Sequence, residues 1–201
     1  MNVILDYDVG NLDSVKRGFE RVGINSVISK DPIIIQAATA LILPGVGAFN
    51  EAMKSLRQSG LIPYIFEHIK QNKPLLGICL GMQLLYEASE ENGYTEGLGL
   101  LKGTIKPLNI RLKVPHMGWN QLIFQKPDHT LLKYIQEHDY VYFVHAYYAA
   151  TNLDDVIAYA DYETKIPAIV AKGPIYATQF HPEKSAAVGL KILQAFKEVI
   201  S

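Results

Sequence analysis

The only cysteine of the chain, Cys79, stands between Gly77 and Gly81 in the segment GICLG. Two glycines around a candidate nucleophile, each one residue away from it, are typical of a nucleophile elbow, a tight turn between a strand and a helix. Such a turn needs glycines because a Cβ atom there would collide with the neighbouring strand or helix. The thiol would face the N-terminal end of the following helix, whose dipole favours a thiolate. The spacing predicts a reactive thiol; a buried cysteine in a glycine-bearing turn is the plainer alternative.

A thiolate nucleophile needs an imidazole to hold and return its proton, and a further group to orient the imidazole. The segment QFHPEKS places His181 and Glu183 directly after the apolar run IYATQF, where a strand ends. Pro182 favours an extended conformation of His181, so that both side chains can project to the same side. We expect His181 to act as the base and Glu183 to orient it. The alternative is that HPE is only a polar exit from a strand.

The remaining histidines are weaker candidates for catalysis. We expect His68, His129 and His138 to lie in polar, solvated surroundings, and His145 to be a half-buried strand residue with satisfied hydrogen bonds. The sequence contains no phosphate-binding loop, no CxxC motif and no His/Cys spacing typical of a metal site. We therefore expect neither a metal nor another cofactor.

Attack of a thiolate on an acyl group produces a tetrahedral oxyanion, which requires backbone N–H donors positioned in advance. The N–H of Leu80, directly after Cys79, can supply one donor. The segment LILPGVGAF can supply the second, because Gly45 and Gly47, on either side of Val46, let the backbone approach a substrate closely. An ordinary glycine-rich turn is the alternative for this segment.

The elements that must position these residues follow from the hydrophobic pattern. Short apolar runs alternate with helical patterns in the first half of the chain, and runs such as ALIL and PLLGI lack polar alternation, which is typical of parallel strands covered on both faces. Between residues 97 and 176 short β-like segments favour antiparallel pairing. The last segment places apolar residues on one helical stripe. We expect one domain, 1–201, of the α/β class: a three-layer α/β/α fold with a mixed, largely parallel central sheet.

Size and charge exclude several function classes. The chain has 201 residues, a net charge of −1 and no basic stripe of the kind that binds nucleic acid. A single cysteine cannot form an internal disulfide, and the N-terminus does not resemble a signal peptide, so we expect a cytoplasmic protein. No apolar run approaches the roughly 18 residues that a spanning helix needs, so we expect no membrane insertion.

Taken together, GICLGMQ, the loop PGVGAF and FHPEKS resemble the triad-type glutamine amidotransferases. PHMGWN and YFVHAYY narrow the resemblance to the glutaminase subunits of imidazole glycerol phosphate synthases, and the resemblance covers essentially the whole chain. It implies that Cys79 attacks the side-chain amide of glutamine to form a thioester. His181 would protonate departing ammonia and then activate water, with Glu183 orienting it. Leu80 and a glycine of PGVG would form the oxyanion hole. Gln83 would contact the bound glutamine, an exposed helix residue being the alternative.

The resemblance also implies a partner, since no part of the chain is left to accept ammonia. In the family the partner is a cyclase subunit with a (β/α)8 barrel, which receives ammonia through an internal channel in a heterodimer. Trp119, Asn120 and Lys184 correspond to positions that the family places near the docking face; a packed core residue is the alternative for Trp119.

The sequence departs from the family at a few positions outside the triad, namely Asp8, Asp13 and Ala146. They leave open a paralogue that feeds ammonia to another synthase, for example in the amidation of a surface sugar. A non-catalytic scaffold and a thiol peptidase on the same fold are the two alternatives from other classes.

Overall fold

The computed structural model describes residues 1–201. It contains six α-helices and fourteen strands. The helices are α1 (Leu12–Arg21), α2 (Pro32–Gln36), α3 (Phe49–Gln58), α4 (Ile62–Lys70), α5 (Leu80–Leu84) and α6 (Ala186–Val199). The strands are β1 (Asn2–Leu5), β2 (Ser26–Ser29), β3 (Ala40–Leu43), β4 (Leu75–Ile78), β5 (Ala88–Ser89), β6 (Thr95–Glu96), β7 (Thr104–Pro107), β8 (His116–Gln121), β9 (Ile123–Phe124), β10 (Tyr140–His145), β11 (Tyr147–Ala150), β12 (Val156–Asp161), β13 (Lys165–Lys172) and β14 (Ile175–Thr178). None of the helices is long and apolar enough to cross a membrane.

The central sheet has eight strands in the order β2-β1-β3-β4-β14-β13-β12-β9. The first five are mutually parallel, whereas β13, β12 and β9 pair antiparallel with their neighbours. Strands β3 and β4 are buried at every position, as their unbroken apolar runs predict. The expectation of a mixed, largely parallel sheet is therefore confirmed.

A hydrophobic core covers each face of this sheet. One core of 27 buried residues contains Phe49 of α3 and Ile65 of α4. The other, of 24 residues, contains Phe19 of α1 and Phe196 of α6. Neighbouring residues of one strand enter opposite cores, as with Val3 in the first and Ile4 in the second. This is the three-layer α/β/α arrangement that the sequence predicts.

Helix α1 begins at a side-chain cap and ends shortly before a glycine. The side chain of Asn11 accepts a hydrogen bond from the N–H of Ser14 at 3.2 Å and so caps α1. After the helix, Gly23 adopts a φ of +71°, a conformation that suits glycine and turns the chain toward β2.

Two smaller sheets stand beside the central one. Strands β8 and β10 form an antiparallel ribbon, and β11, β7, β5 and β6 form a four-stranded sheet. The segment YVYFVHAYYAA, a single β-like run in the sequence, is divided at Ala146: β10 pairs with β8, whereas β11 pairs with β7. The chain therefore passes from one sheet to the other at Ala146.

Candidate active site

Cys79 lies in the turn between β4 and α5, with φ +55° and ψ −112°. A positive φ is unfavourable for a residue with a side chain and is typical of the nucleophile in a strand-to-helix elbow. A Cβ atom on Gly81 would lie 1.8 Å from the carbonyl oxygen of Leu43, and one on Gly77 would lie 3.0 Å from the backbone of Met82. The close approach of backbone on both sides is the reason for the two glycines.

His181 and Glu183 form a buried pair beside the thiol. The Nδ1 atom of His181 lies 2.8 Å from Oε1 of Glu183, and the two side chains are 5% and 4% exposed. His181 has an extended backbone, with φ −93° and ψ +102°, as the following proline predicts. Helix α1 packs directly against the carboxylate-bearing residue, since a Cβ atom on Gly18 would lie 2.7 Å from Cβ of Glu183. The carboxylate therefore holds one ring nitrogen, and the other remains for the thiol.

The charge of His181 depends on the thiol and the carboxylate together. Burial alone lowers the pKa of an imidazole, but hydrogen bonds to Cys79 and Glu183, with the negative charges of both, raise the pKa of His181 to about 9. Since this value lies above neutral pH, His181 is protonated at neutral pH. The thiol, imidazole and carboxylate thus stand in the order that a nucleophile, its acid–base partner and an orienting group require.

The PGVG loop is held by close packing at Pro44 and Gly45, whereas Val46 and Gly47 are exposed. A Cβ atom on Gly45 would lie 2.9 Å from both the backbone N of Gly81 and the hydroxyl of Tyr7. The Tyr7 hydroxyl donates a hydrogen bond to the carbonyl of Pro44, which holds this end of the loop. In contrast, Val46 is 42% exposed, and a Cβ atom on Gly47, which has φ +92°, would have no neighbour within 4 Å. The two N–H groups after Gly45 therefore have room to face a substrate.

A cavity of about 290 Å³ opens next to Cys79. Six of the predicted site residues line it together, whereas Gly45 and Glu183 are not among the lining residues. The lining residues are Val46, Gly47, Cys79, Leu80, Gln83, Glu91, Pro115, Val144, His145, Ala146, Tyr147 and His181.

Gln83 is buried rather than exposed on its helix, at 4% of its accessible surface. Its side-chain nitrogen donates to the backbone carbonyl of Tyr147 at 3.0 Å and to Oε1 of Gln179 at 2.9 Å. Both amide hydrogens are used, so the side chain of Gln83, which lines the cavity, has only its carbonyl oxygen left, as an acceptor.

Glu91 also lines the cavity, and the sequence interpretation missed it. One of its carboxylate oxygens accepts a hydrogen bond at 2.8 Å from the backbone N of Phe49, the first residue of α3. In the sequence Glu91 stands among several acids of a polar loop, ASEENGYTEG, where nothing distinguishes it from its solvated neighbours. Only the fold brings Glu91 to the same cavity as Cys79.

The three residues predicted to lie near a docking face are outside the cavity. Trp119 of β8 is 52% exposed, which excludes a packed core position for it. Asn120 follows it on the same strand and is half-buried. Lys184 is exposed in the short helical turn after His181.

The expectations for the other histidines hold only in part. His138 is exposed and His129 is half-buried. His145 has both ring nitrogens hydrogen-bonded, as expected, but it is buried at 7% exposure rather than half-buried. The expectation for His68 is wrong: it is buried at 4% exposure, and its ring contacts the carbonyl of Pro74 at 3.0 Å, because this side of α4 faces the residue directly before β4.

The fold and the residues around the cavity define a class-I glutamine amidotransferase. Residues 3–198 match the family described as Glutamine amidotransferase class-I. A solved structure described as "Crystal structure of glutamine amidotransferase" has the same fold, with a TM-score of 0.77 and 19% identity, and the match covers 98% of both chains.

Curated relatives define the family more narrowly. The imidazole glycerol phosphate synthase subunit HisH of Geobacillus sp. (strain WCH70) is 50% identical, over 98% of this chain and 96% of the relative. The subunit of the same name from Lactococcus lactis subsp. lactis (strain IL1403) is 51% identical over 98% of both chains. The chain therefore belongs to the HisH family of imidazole glycerol phosphate synthase subunits, within the class-I glutamine amidotransferases.

Proposed function

We propose that this chain hydrolyses glutamine to glutamate and ammonia through a thioester on Cys79, and delivers the ammonia to a cyclase subunit in histidine biosynthesis. One observation carries the proposal. His181 contacts the buried Glu183 carboxylate through Nδ1 at 2.8 Å and interacts with Cys79 at the edge of the cavity. This arrangement fits acyl transfer by a thiolate and an imidazolium.

In the first half of the reaction the Cys79 thiolate attacks the side-chain amide carbon of glutamine. The carbonyl π electrons move to oxygen, and the backbone N–H of Leu80 and one N–H of the Gly45–Val46–Gly47 loop stabilise the oxyanion. When the oxyanion collapses, the carbon–nitrogen bond breaks and His181 gives its proton to the departing nitrogen. The products are ammonia and a glutamyl thioester, with a neutral imidazole.

Formation of the thioester prepares His181 for its second role. The interaction with Cys79 contributes to the raised pKa of His181, and its negative charge is gone once the sulfur is acylated. The pKa of the imidazole therefore falls, so that the ring stays neutral after it has given its proton to the departing ammonia. Neutral His181 then takes a proton from water as the hydroxide oxygen attacks the thioester carbon. Collapse of this intermediate breaks the carbon–sulfur bond, which restores the thiolate beside the imidazolium and releases the γ-carboxylic acid. The acid gives its proton to solvent and leaves as glutamate.

Two acceptors in the cavity fit the amino-acid end of glutamine. The side-chain carbonyl oxygen of Gln83, a residue that lines the cavity, is free to accept, because both hydrogens of its amide are donated elsewhere. The carboxylate of Glu91 supplies a negative charge. We infer that the two receive the α-ammonium group, which requires acceptors and an opposite charge. A peptide substrate has no α-ammonium at this position, which disfavours the thiol peptidase alternative.

Ammonia needs an acceptor subunit, since ammonia released into neutral water becomes ammonium and loses its nucleophilicity. We infer a heterodimer with a (β/α)8-barrel cyclase that encloses the ammonia in a channel. The exposed Trp119, the adjacent Asn120 and Lys184 are candidates for the docking face. We also propose that residues 1–201 form one amidotransferase domain and that the protein is located in the cytoplasm.

The test measures glutamate release by the chain with and without a histidine-pathway cyclase and its ribotide substrate. Strong stimulation by the cyclase and ribotide is the expected result. Slow hydrolysis that the cyclase and ribotide leave unchanged would still support a glutaminase activity. It would contradict the histidine-pathway cyclase as the ammonia acceptor and would favour a paralogue, such as one that amidates a surface sugar.

The matched variant is Cys79→Ala. We expect it to lose glutamine-dependent synthesis while the partner still uses added ammonia, because the cyclase chemistry lies in the other subunit. Full glutamine-dependent synthesis by Cys79→Ala would support a non-catalytic scaffold, and loss of the ammonia-dependent reaction as well would mean that Cys79 is structural.

A further inference from the structure

Two buried histidines beside the cavity have no part in the triad. His116 begins β8 and His145 ends β10, and they are cross-strand partners on the last pair of the ribbon. They are 3% and 7% exposed. Nδ1 of His116 lies 2.9 Å from Nε2 of His145. His145 lines the cavity, and His116 stands behind it.

The hydrogen bonds of this pair run in one direction. The backbone carbonyl of Tyr147 can only accept, and Nδ1 of His145 lies 2.9 Å from it, so this nitrogen carries the proton. Nε2 of His145 is then an acceptor, and Nδ1 of His116 donates to it. Nε2 of His116 in turn accepts from the side-chain amide of Asn120 at 3.3 Å. Burial lowers the pKa of both histidines to about 4, so each neutral ring carries the single proton that this order needs.

This series of hydrogen bonds ends at the backbone carbonyl of Tyr147, which also binds Gln83, a residue that lines the cavity. The same oxygen of Tyr147 accepts from the side chain of Gln83 at 3.0 Å. Tyr147 begins β11, directly after the point at which the backbone leaves the ribbon at Ala146. The two donors, His145 and Gln83, therefore meet at the place where the cavity wall changes from one sheet to another.

The donor end of the chain is held by packing. The ring of His116 stacks on the rings of Tyr162 and Phe143. The ring centroids are 4.0 Å and 4.7 Å apart, with interplanar angles of 20° and 21°. Asn120 is fixed as well, since its amide nitrogen also donates to the carbonyl of Asp161 at 3.0 Å. Neither ring can turn over without losing a stack or leaving a buried polar atom unpaired.

Building on the proposed glutaminase function, we propose that His116 and His145 are positioning residues for glutamine. Their directed hydrogen bonds from Asn120 hold the Tyr147 carbonyl, and this carbonyl holds the amide of Gln83. Neither histidine takes a proton from the substrate. Loss of the His116 donor would leave Nε2 of His145 as a buried acceptor without a partner, which is unfavourable. The ring could then relieve this cost by giving up its bond to Tyr147.

The experiment compares two variants of His116 in the complex with the cyclase. His116→Phe keeps an aromatic ring in the stack but removes the donor. His116→Asn keeps a donor, because its amide nitrogen is as many bonds from Cβ as Nδ1 is. We expect His116→Phe to raise KM for glutamine about 10-fold, which corresponds to about 1.4 kcal/mol, with kcat changed less than about 3-fold. His116→Asn should return KM to within about 3-fold of the unmodified chain.

Two controls separate this role from damage to the triad or the fold. The rate at which iodoacetamide alkylates Cys79 should stay within about 2-fold in both variants, since this small reagent needs no amino-acid site. Thermal unfolding checks the fold. If His116→Phe does not fold, His116→Gln serves as the second variant without the Nδ1 donor, because its amide lies one bond further from Cβ.

Two results would overturn the inference: an unchanged KM in a folded variant without the donor, or the same increase in KM for the Phe and Asn variants, which would mean that the ring acts by packing alone. Absence of glutaminase activity in the unmodified complex is a different failure. It would contradict the proposed function itself, and the inference with it.

Discussion

A Cβ atom on Gly81 would lie 1.8 Å from the carbonyl oxygen of Leu43, the last residue of the neighbouring strand β3. The backbone of α5 therefore rests directly on the backbone of β3, with no side chain between them. Because Cys79 precedes this helix by one residue, the contact fixes the height of the thiol above the sheet. A distance so short cannot be relieved by rotating a side chain, since both groups are backbone.

This contact predicts a graded effect of two alanine substitutions. Gly81→Ala should destabilise the protein by more than about 3 kcal/mol, or prevent soluble expression, because overpacking against backbone forces the helix to move. Gly77→Ala should cost less, since its Cβ would lie 3.0 Å from Met82 and Leu85, where small shifts suffice. Chemical denaturation measures both. Equal stability of the two variants would contradict the role of the Leu43 contact.

The carboxylate of Glu91 allows a test of substrate recognition. Glu91→Gln should raise KM for glutamine by about 10-fold or more, because a hydrogen bond to a charged group contributes about 1.5–3 kcal/mol. The fold should not change, since the side-chain oxygen of the glutamine introduced at position 91 can still accept from the N–H of Phe49. The matched control is Glu90→Gln, whose side chain is 49% exposed and 3.6 Å from Lys106. Steady-state kinetics of the complex should show a raised KM in the first variant alone.

Much of this site could be predicted from the sequence because its residues are local. The elbow around Cys79 depends on glycines within two residues of the thiol, and the pair His181 and Glu183 is set by the proline between them. Parallel strands with no polar alternation likewise indicate helices on both faces. Each of these features depends on residues that lie within a few positions of one another in the sequence.

The rest of the cavity depends on contacts between distant segments, which no local pattern contains. Glu91 reaches the cavity because its carboxylate caps the first residue of α3, 42 positions earlier in the chain. His116 meets His145 only because β8 and β10 pair in one register. The polar neighbours of His68 on α4 predict a solvated ring, yet the side of the helix that it occupies is covered by Pro74, directly before β4.

The dependence of His181 on the thiolate can be measured directly. In Cys79→Ala the hydrogen bond and the negative charge of the sulfur are both absent, while burial still lowers the pKa of the ring. We expect the pKa of His181 to fall from about 9 by at least about one pH unit. Two-dimensional ¹⁵N NMR of the imidazole over a pH titration gives the value. An unchanged pKa in this variant would mean that Glu183 alone keeps the ring charged.

The histidine pair predicts a loss of stability in acid. Burial lowers the pKa of His116 and His145 from 6.5 to about 4 in the folded protein. Below pH 6.5 the unfolded chain therefore binds protons that the folded chain does not, and the free energy of unfolding falls. The slope is at most about 1.4 kcal/mol per pH unit for each histidine. The contribution is complete above pH 6.5 and is lost as the pH falls toward 4.

Denaturant unfolding at several pH values between 7 and 4 would measure this slope. His116→Asn removes one of the two titrating rings but keeps a donor to His145, so its stability should fall less steeply over the same range. The control is His138→Asn, because His138 is exposed and its replacement should leave the slope unchanged. If His116→Asn loses stability as steeply as the unmodified chain, burial does not keep the two rings neutral. This result would also contradict the single direction assigned to their hydrogen bonds.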